Sequence, residues 1–115
     1  MAKTSPTQRT LAKLRAEGWH AQIVEHFNQF ARVRQDFFGC IDIIAVKDDR
    51  TLGVQTTSGA NVAARLEKIR AEPRAALLLA AGWRIEVHGW RKVGARGKRK
   101  LWECRIEVVT NHPGG

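Results

Sequence analysis

A chain of 115 residues is long enough to bury one hydrophobic core and too short for two, so one domain over residues 1–115 is expected. Its 20 Lys and Arg against 11 Asp and Glu leave a formal charge of +9 and a pI near 10.6, which points to a polyanionic partner, nucleic acid ahead of an anionic membrane surface. No apolar run nears the roughly 20 residues that span a bilayer and no signal-peptide pattern opens the chain, so a soluble, cytoplasmic protein is expected; Cys40 and Cys104, with no CxxC or Cys/His cluster, give a zinc site no support and read as reduced, buried thiols.

Ser5 as N-cap, Pro6 at the first helical position and Gln8 at capping-box spacing predict a first helix, which Gly18 ends. Leu11, Leu14 and Ala12 form its apolar stripe, while Lys3, Arg9, Lys13 and Arg15 make the other side positive, either a solvated face or a phosphate contact. Trp19 to Phe27 then reads as a strand with Trp19, Ala21, Ile23, Glu25 and Phe27 on one side. Glu25 breaks that apolar row, either as an acid reaching the cluster around Asp42 described next or as the point where an edge strand meets water. Asn28 to Gln35 is a polar connection leading to Asp36-Phe37-Phe38-Gly39, where Gly39 permits a sharp approach or a bulge and Asp36 is open between a metal site and a local backbone contact.

Cys40 to Val46 is short, β-branched and almost continuously apolar, the pattern of a strand covered on both faces, and Asp42 sits in its middle. An unpaired ionised carboxylate there costs several kcal/mol, so Asp42 needs donors, a cation or a metal ion. Lys47 to Arg50 reads as a two-residue turn at Asp48-Asp49 and Thr51 to Thr57 as the next strand. Counting back from a Lys47–Arg50 pair places Asp42 opposite Gln55, with Gly53 and Thr57 on the same face and Leu52 and Val54 on the other. The alternative is a buried Asp that bonds only to Gln55 and nearby backbone.

After Thr57, Asn61 is an N-cap for a helix over Val62 to Ala71, whose Val62, Leu66 and Ile69 should pack on the sheet. Arg65 and Lys68 flank that stripe, either swinging toward the polar cluster or lying along the core edge as surface cations. Pro73 opens a further helix, Arg74 to Ala81, apolar nearly all round and therefore buried or covered by a partner subunit. Trp83 to His88 alternates as a strand, with Trp83, Ile85 and Val87 on one side and His88 expected in solvent. A last strand, Leu101 to Val109, should turn Trp102, Cys104, Ile106 and Val108 inward. Between them Arg91, Lys92, Arg96, Lys98, Arg99 and Lys100 form a basic loop over 91–100 suited to phosphate contacts, with Trp90 and Trp102 at its base, and residues 110–115 read as a frayed tail beyond a core of about 5–109.

With Gly39-x-x-Asp42 on one central strand and Gln55-x-Thr57 on the next, the chain resembles the PD-(D/E)xK nuclease superfamily, in its phage and bacterial Holliday-junction-resolvase-like branch; FFGCIDIIAV, GVQTTSG and NVAARLEKI carry the likeness over about Gln8 to Trp90. The resemblance implies a restriction-endonuclease-like αβββαβ core, a mixed central sheet flanked by helices. It also implies a metal-dependent DNA endonuclease acting on the phosphate backbone of branched DNA without reading sequence. In that family an Asp and a Glu on adjacent strands hold Mg²⁺ and a Lys two residues on orients water. Asp42 matches the Asp, Gln55 stands at the Glu position and Thr57 at the Lys position. On this reading Asp42, Gln55 and Glu25 hold Mg²⁺ or Mn²⁺, Lys68 or Arg65 replaces the missing cation, and a homodimer supplies the paired cuts of a resolvase. The alternatives are a catalytically inactive nucleic-acid-binding module on the same fold and a recruitment protein docking through the apolar helix.

Overall fold

The first helix of the computed structural model, which describes residues 4–94, 97 and 99–110, is α1 (Pro6–Ala16). The Ser5 side chain accepts the Gln8 N–H at its start, and Gly18, at φ +91°, turns the chain away at its end. Leu11 and Leu14 are buried as the sequence predicts, but the third buried position is Thr10, and Ala12 lies exposed.

The strands form a five-stranded mixed sheet in the order β1 (His20–Ile23), β4 (Ile43–Lys47), β5 (Arg50–Ser58), β6 (Arg84–Val93), β7 (Leu101–Val109). Only β5 and β6 are parallel; the connection between them carries the helices α2 (Val62–Arg70) and α3 (Pro73–Ala80). One face of the sheet packs against α1 through Ile43, Ala45, Leu52 and Val54, joined by Trp19, Ala21 and Ile23. The other face packs against α2 and α3 through Ile85, Val87, Ile41 and Cys40. This gives an α/β fold with helices on both faces of a central sheet.

Sequence and structure part at several places. The expected strand Trp19–Phe27 is two strands, because Val24 N and Glu25 N both donate to the Asp42 carbonyl, at 2.8 and 3.3 Å. Two amides on one acceptor make a bulge that turns the chain out of the main sheet. The polar connection expected after it is instead a hairpin, β2 (His26–Asn28) against β3 (Val33–Gln35), whose turn is held by Asn28 Oδ1 accepting the N–H groups of Phe30 and Ala31. The helix after Pro73 is buried on one side only: Ala75 and Leu78 are inside, whereas Leu77 is 67% exposed. Apolar composition all round thus did not translate into burial all round, since α3 lies against a single face of the sheet.

β7 is an edge strand, and α1 reaches only part of it. Trp102, Ile106 and Val108, expected inward, are therefore each about 40% exposed, and Cys104 is half-buried. On the neighbouring β6 the reverse holds. His88, expected in solvent, is 1% exposed because α1 covers it: its Nδ1 lies 3.4 Å from Thr10 Oγ1 and its Nε2 2.8 Å from Glu86 Oε1. Among the described residues no helix is long and apolar enough to cross a membrane.

Candidate functional site

The Lys47–Arg50 pairing expected across the Asp48-Asp49 turn is present, and the ladder runs back to Ile43 opposite Val54. Asp42 therefore precedes β4, at the mouth of the ladder and not in the middle of a strand, with its N–H donating to the Val54 carbonyl at 2.8 Å. That position turns its side chain toward Gln55, whose Nε2 donates to Asp42 Oδ2 at 2.8 Å. The same oxygen accepts the Thr56 N–H at 2.8 Å and the Thr56 hydroxyl at 3.1 Å, and Thr56 Oγ1 lies 2.7 Å from the hydroxyl of Thr7 on α1.

One half of each polar side chain is thus fully engaged and the other half is not. Asp42 Oδ1 and Gln55 Oε1 are buried and have no hydrogen-bond partner among the described residues. Both residues line an open pocket of about 400 Å³ together with Glu25, Asp36, Arg65 and Lys68, and the start of α1 closes one wall. Carboxylate oxygens of Glu25, Asp36 and Asp42 lie within 4.8 Å of one another. Three carboxylates at that spacing can coexist only by sharing protons or a cation. Burial above all, then the adjacent Asp36 carboxyl and the nearby Glu25, push Asp42 up from 3.8 to about 7, against the pull of the Thr56 N–H. Lys68 supplies some compensation, with its Nζ 3.8 Å from Asp36 Oδ2. Acidic oxygens and an amide carbonyl are the types of donor that could hold a hard divalent cation.

Of the residues singled out in the sequence, Asp42, Gln55, Glu25, Arg65 and Lys68 come together around this pocket, and Asp36 joins them. Thr57 does not: it is buried opposite Gly89 of β6, and its neighbour Thr56 is the residue that touches Asp42. Gly89 has no room for a side chain, since a Cβ there would stand 2.2 Å from Val62 Cγ2, and this close approach seats the start of α2 on β6. Arg91 and Lys92 lie on β6 itself, exposed, Arg91 Nη2 3.4 Å from Glu103 Oε1 and Lys92 Nζ 5.4 Å from the Trp102 ring centre. Arg99 and Lys100 are exposed before β7, while Arg96 and Lys98, with Lys3 and the end of the tail, lie outside the described residues.

Sequence reasoning did not find Thr56, Thr7 or the start of α1. Strand alternation sends Thr56 to the α1 face, and only the offset of Asp42 at the mouth of β4 brings the hydroxyl back to its carboxylate. Comparisons of the chain with protein-family models, with curated proteins and with solved structures return no match.

Proposed function

We propose that the chain is a divalent-metal-dependent endonuclease that hydrolyses DNA phosphodiester bonds, on a restriction-endonuclease-like αβββαβ core. The observation that carries this reading is the gathering of Asp42, Gln55, Glu25 and Asp36 around one pocket, with carboxylate oxygens of the three acids within 4.8 Å of one another and Asp42 Oδ1 and Gln55 Oε1 buried without a donor N–H or hydroxyl among the described residues. Crowded acids and buried acceptors without donors are costly, and a bound cation would offset that cost. The element order supports the core assignment: a helix, an antiparallel run β1, β4, β5 interrupted in sequence by the β2–β3 hairpin, two helices, and β6 parallel to β5.

Asp42, Gln55, Asp36 and Glu25 would hold Mg²⁺ or Mn²⁺. When bound, such an ion acidifies a water and stabilises charge on a phosphate. The chain's own groups do the rest. Gln55 and Thr56 fix one oxygen of Asp42 and so set the orientation of its carboxyl at the pocket wall. Lys68 and Arg65 line the pocket and would offer positive charge to a phosphate entering it. The exposed cations of β6 and of the segment before β7 add backbone contacts that read no sequence. A homodimer through the exposed side of α3 would give paired cuts on branched DNA.

The test is incubation of the purified protein with Mn²⁺ and linear or four-way-junction DNA. Wild type should cut and Asp42→Asn should lose on the order of a hundredfold or more in rate; equal cutting by the two rejects the site. One observation favours a second reading, a module that binds DNA without cutting it: Thr57, at the position where the resemblance expects a lysine, is buried and is not among the residues lining the pocket. Melting curves separate the two, because millimolar Mn²⁺ stabilises a nuclease through Asp42, by about 2.7 kcal/mol at a hundred times Kd, and leaves a pure binder unmoved.

A further inference from the structure

We propose that a second cleft, on the other side of Asp36 from the acid cluster, receives an unpaired nucleobase, so that the preferred substrate carries single-stranded nucleotides beside the scissile phosphate. The proposal deepens the nuclease reading and rests on it for the position of the phosphate. The cleft has a volume of about 420 Å³ and is lined by His26, Gln35, Phe38 and Arg74, with Asp36 and Lys68 shared between it and the acid pocket. That volume is in the range of small-ligand sites, roughly 300–1,000 Å³. Because Lys68 lines both, a strand whose phosphate meets it would lie at the edge of this cleft as well.

Its aromatic wall is the outer end of a stack. Trp83 and Phe37 lie nearly parallel, with ring centres 6.0 Å apart and planes at 5°, and Phe37 and Phe38 follow at 4.4 Å and 27°. Phe37 and Trp83 are packed against the core, whereas Phe38 is 38% exposed. A base is the natural next plane in such a series, because every base has a π-face. The backbone supports this placement at a cost: Phe38 has φ +53°, a left-handed conformation that a bulky side chain rarely adopts, and Gly39 follows at +70°. Strain of this kind, about 1–3 kcal/mol, collects at working sites. Over the ring stands the Arg74 guanidinium, 5.3 Å from its centre and held by a 2.6 Å contact to Glu72, so that ring and guanidinium together present the planes against which a base would stack. Guanidinium planes and aromatic rings both stack on bases, and the paired residues His26 and Gln35 at the foot of the hairpin offer hydrogen-bonding groups for a base edge.

The cleft discriminates by geometry. In intact duplex each base is stacked and paired, and reaching a side cleft requires unstacking it at a cost of a few kcal/mol; in an overhang, flap or open junction arm that cost is already met. An apolar side chain of a protein partner would also fit the ring, but the cations Lys68 and Arg74 and the net charge of +9 favour a nucleotide.

The experiment measures binding by fluorescence anisotropy in chelator, so that no cutting occurs, using DNA duplexes with and without a short single-stranded overhang. Wild type should bind the overhang substrate on the order of tenfold tighter than the blunt one. Phe38→Leu should lose that factor on the overhang and Phe38→Tyr should keep it. An overhang with an abasic site should cost wild type the same factor and cost Phe38→Leu nothing more, as expected for two changes that remove one contact. Arg74→Gln, at an exposed position, should weaken overhang binding in the same direction and guards against a Phe38 variant that fails to fold. Equal binding of overhang and blunt DNA by wild type, or a Phe38→Leu protein that still senses the abasic site, overturns the proposal. A binding preference without Mn²⁺-dependent cutting retains the base cleft and rejects the nuclease; cutting with no dependence on Phe38 does the reverse.

Discussion

Two buried carboxylates stand in the same sheet, Asp42 at the mouth of β4 and Glu86 on β6, and their surroundings differ in kind. Glu86 has both oxygens engaged, Oε1 by His88 Nε2 at 2.8 Å and Oε2 by Arg84 Nε at 2.6 Å. The network extends to Thr10, whose hydroxyl accepts the Trp90 Nε1 proton at 2.8 Å and can therefore donate its own to His88 Nδ1, directing the Nε2 proton at Glu86. Asp42 has one oxygen saturated with three donors and the other with none among the described residues. Its near neighbours include two further acids, where those of Glu86 are a histidine and an arginine. Burial of a charge thus says little about role; completeness of its partners says more. The closed network reads as a fastening of α1 to β6, and the open one as a place kept for something else.

The largest contrast should appear on deleting each acid. Glu86→Ala leaves the His88 ring and the Arg84 guanidinium without their acceptor and should destabilise the fold by about 1–3 kcal/mol, read as a lower denaturation midpoint. Asp42→Asn removes a carboxylate that resists ionising in its present surroundings, so the metal-free variant should be at least as stable as wild type at pH 8; a loss as large as that of Glu86→Ala would show Asp42 to be structural.

The pH dependence should sharpen the difference, because the two groups move in opposite senses. Asp42 is raised from 3.8 to about 7, so the folded protein retains a proton there that the unfolded chain releases. Its contribution is present at low pH and is lost as pH rises between those two values. For Glu86, burial pushes upward, but the hydrogen bonds from His88 and Arg84 outweigh it and hold the carboxyl below its usual 4.5. Its contribution is present above that value and is lost as pH falls through the lowered one. Melting temperature followed against pH in chelator should lose its upper slope in Asp42→Asn and part of its lower slope in Glu86→Gln. The smallest effect is expected from Thr56→Val, which removes one donor to Asp42 and the contact with Thr7 while keeping the backbone N–H in place. A cost of about 0.5–1.5 kcal/mol in the denaturation midpoint is the expected outcome.

The open cluster was more legible in the sequence than the closed one. A two-residue turn fixes register, so counting from Lys47 and Arg50 brings Asp42 beside Gln55 without any knowledge of the rest. The position of Glu86 and His88 depends on which face α1 covers, and a strand that alternates carries no mark of which side is the wet one. The signal that could have found them is Thr10, a polar residue in the apolar stripe of α1 one turn before Leu14. Glu25 and Asp36 stayed ambiguous for a different reason: each lies at a break between strands, where the side-chain direction is set by a bulge or a turn and not by periodicity. The same holds for β7, whose pattern matches a covered strand although its place at the edge leaves Trp102, Ile106 and Val108 partly in water.

The hairpin formed by β2 and β3 begins just after Glu25 and ends just before Asp36, with His26 facing Gln35 at its foot. The ladder that closes it also sets these acids side by side, whatever length of turn sits at the far end. Residues could be inserted or trimmed around Phe30, at the fully solvent-facing tip, without altering the separation of the two carboxyl groups. A pair of acids brought together in this way obeys no constant interval along the chain, and a pattern written as residue types at fixed gaps is blind to it.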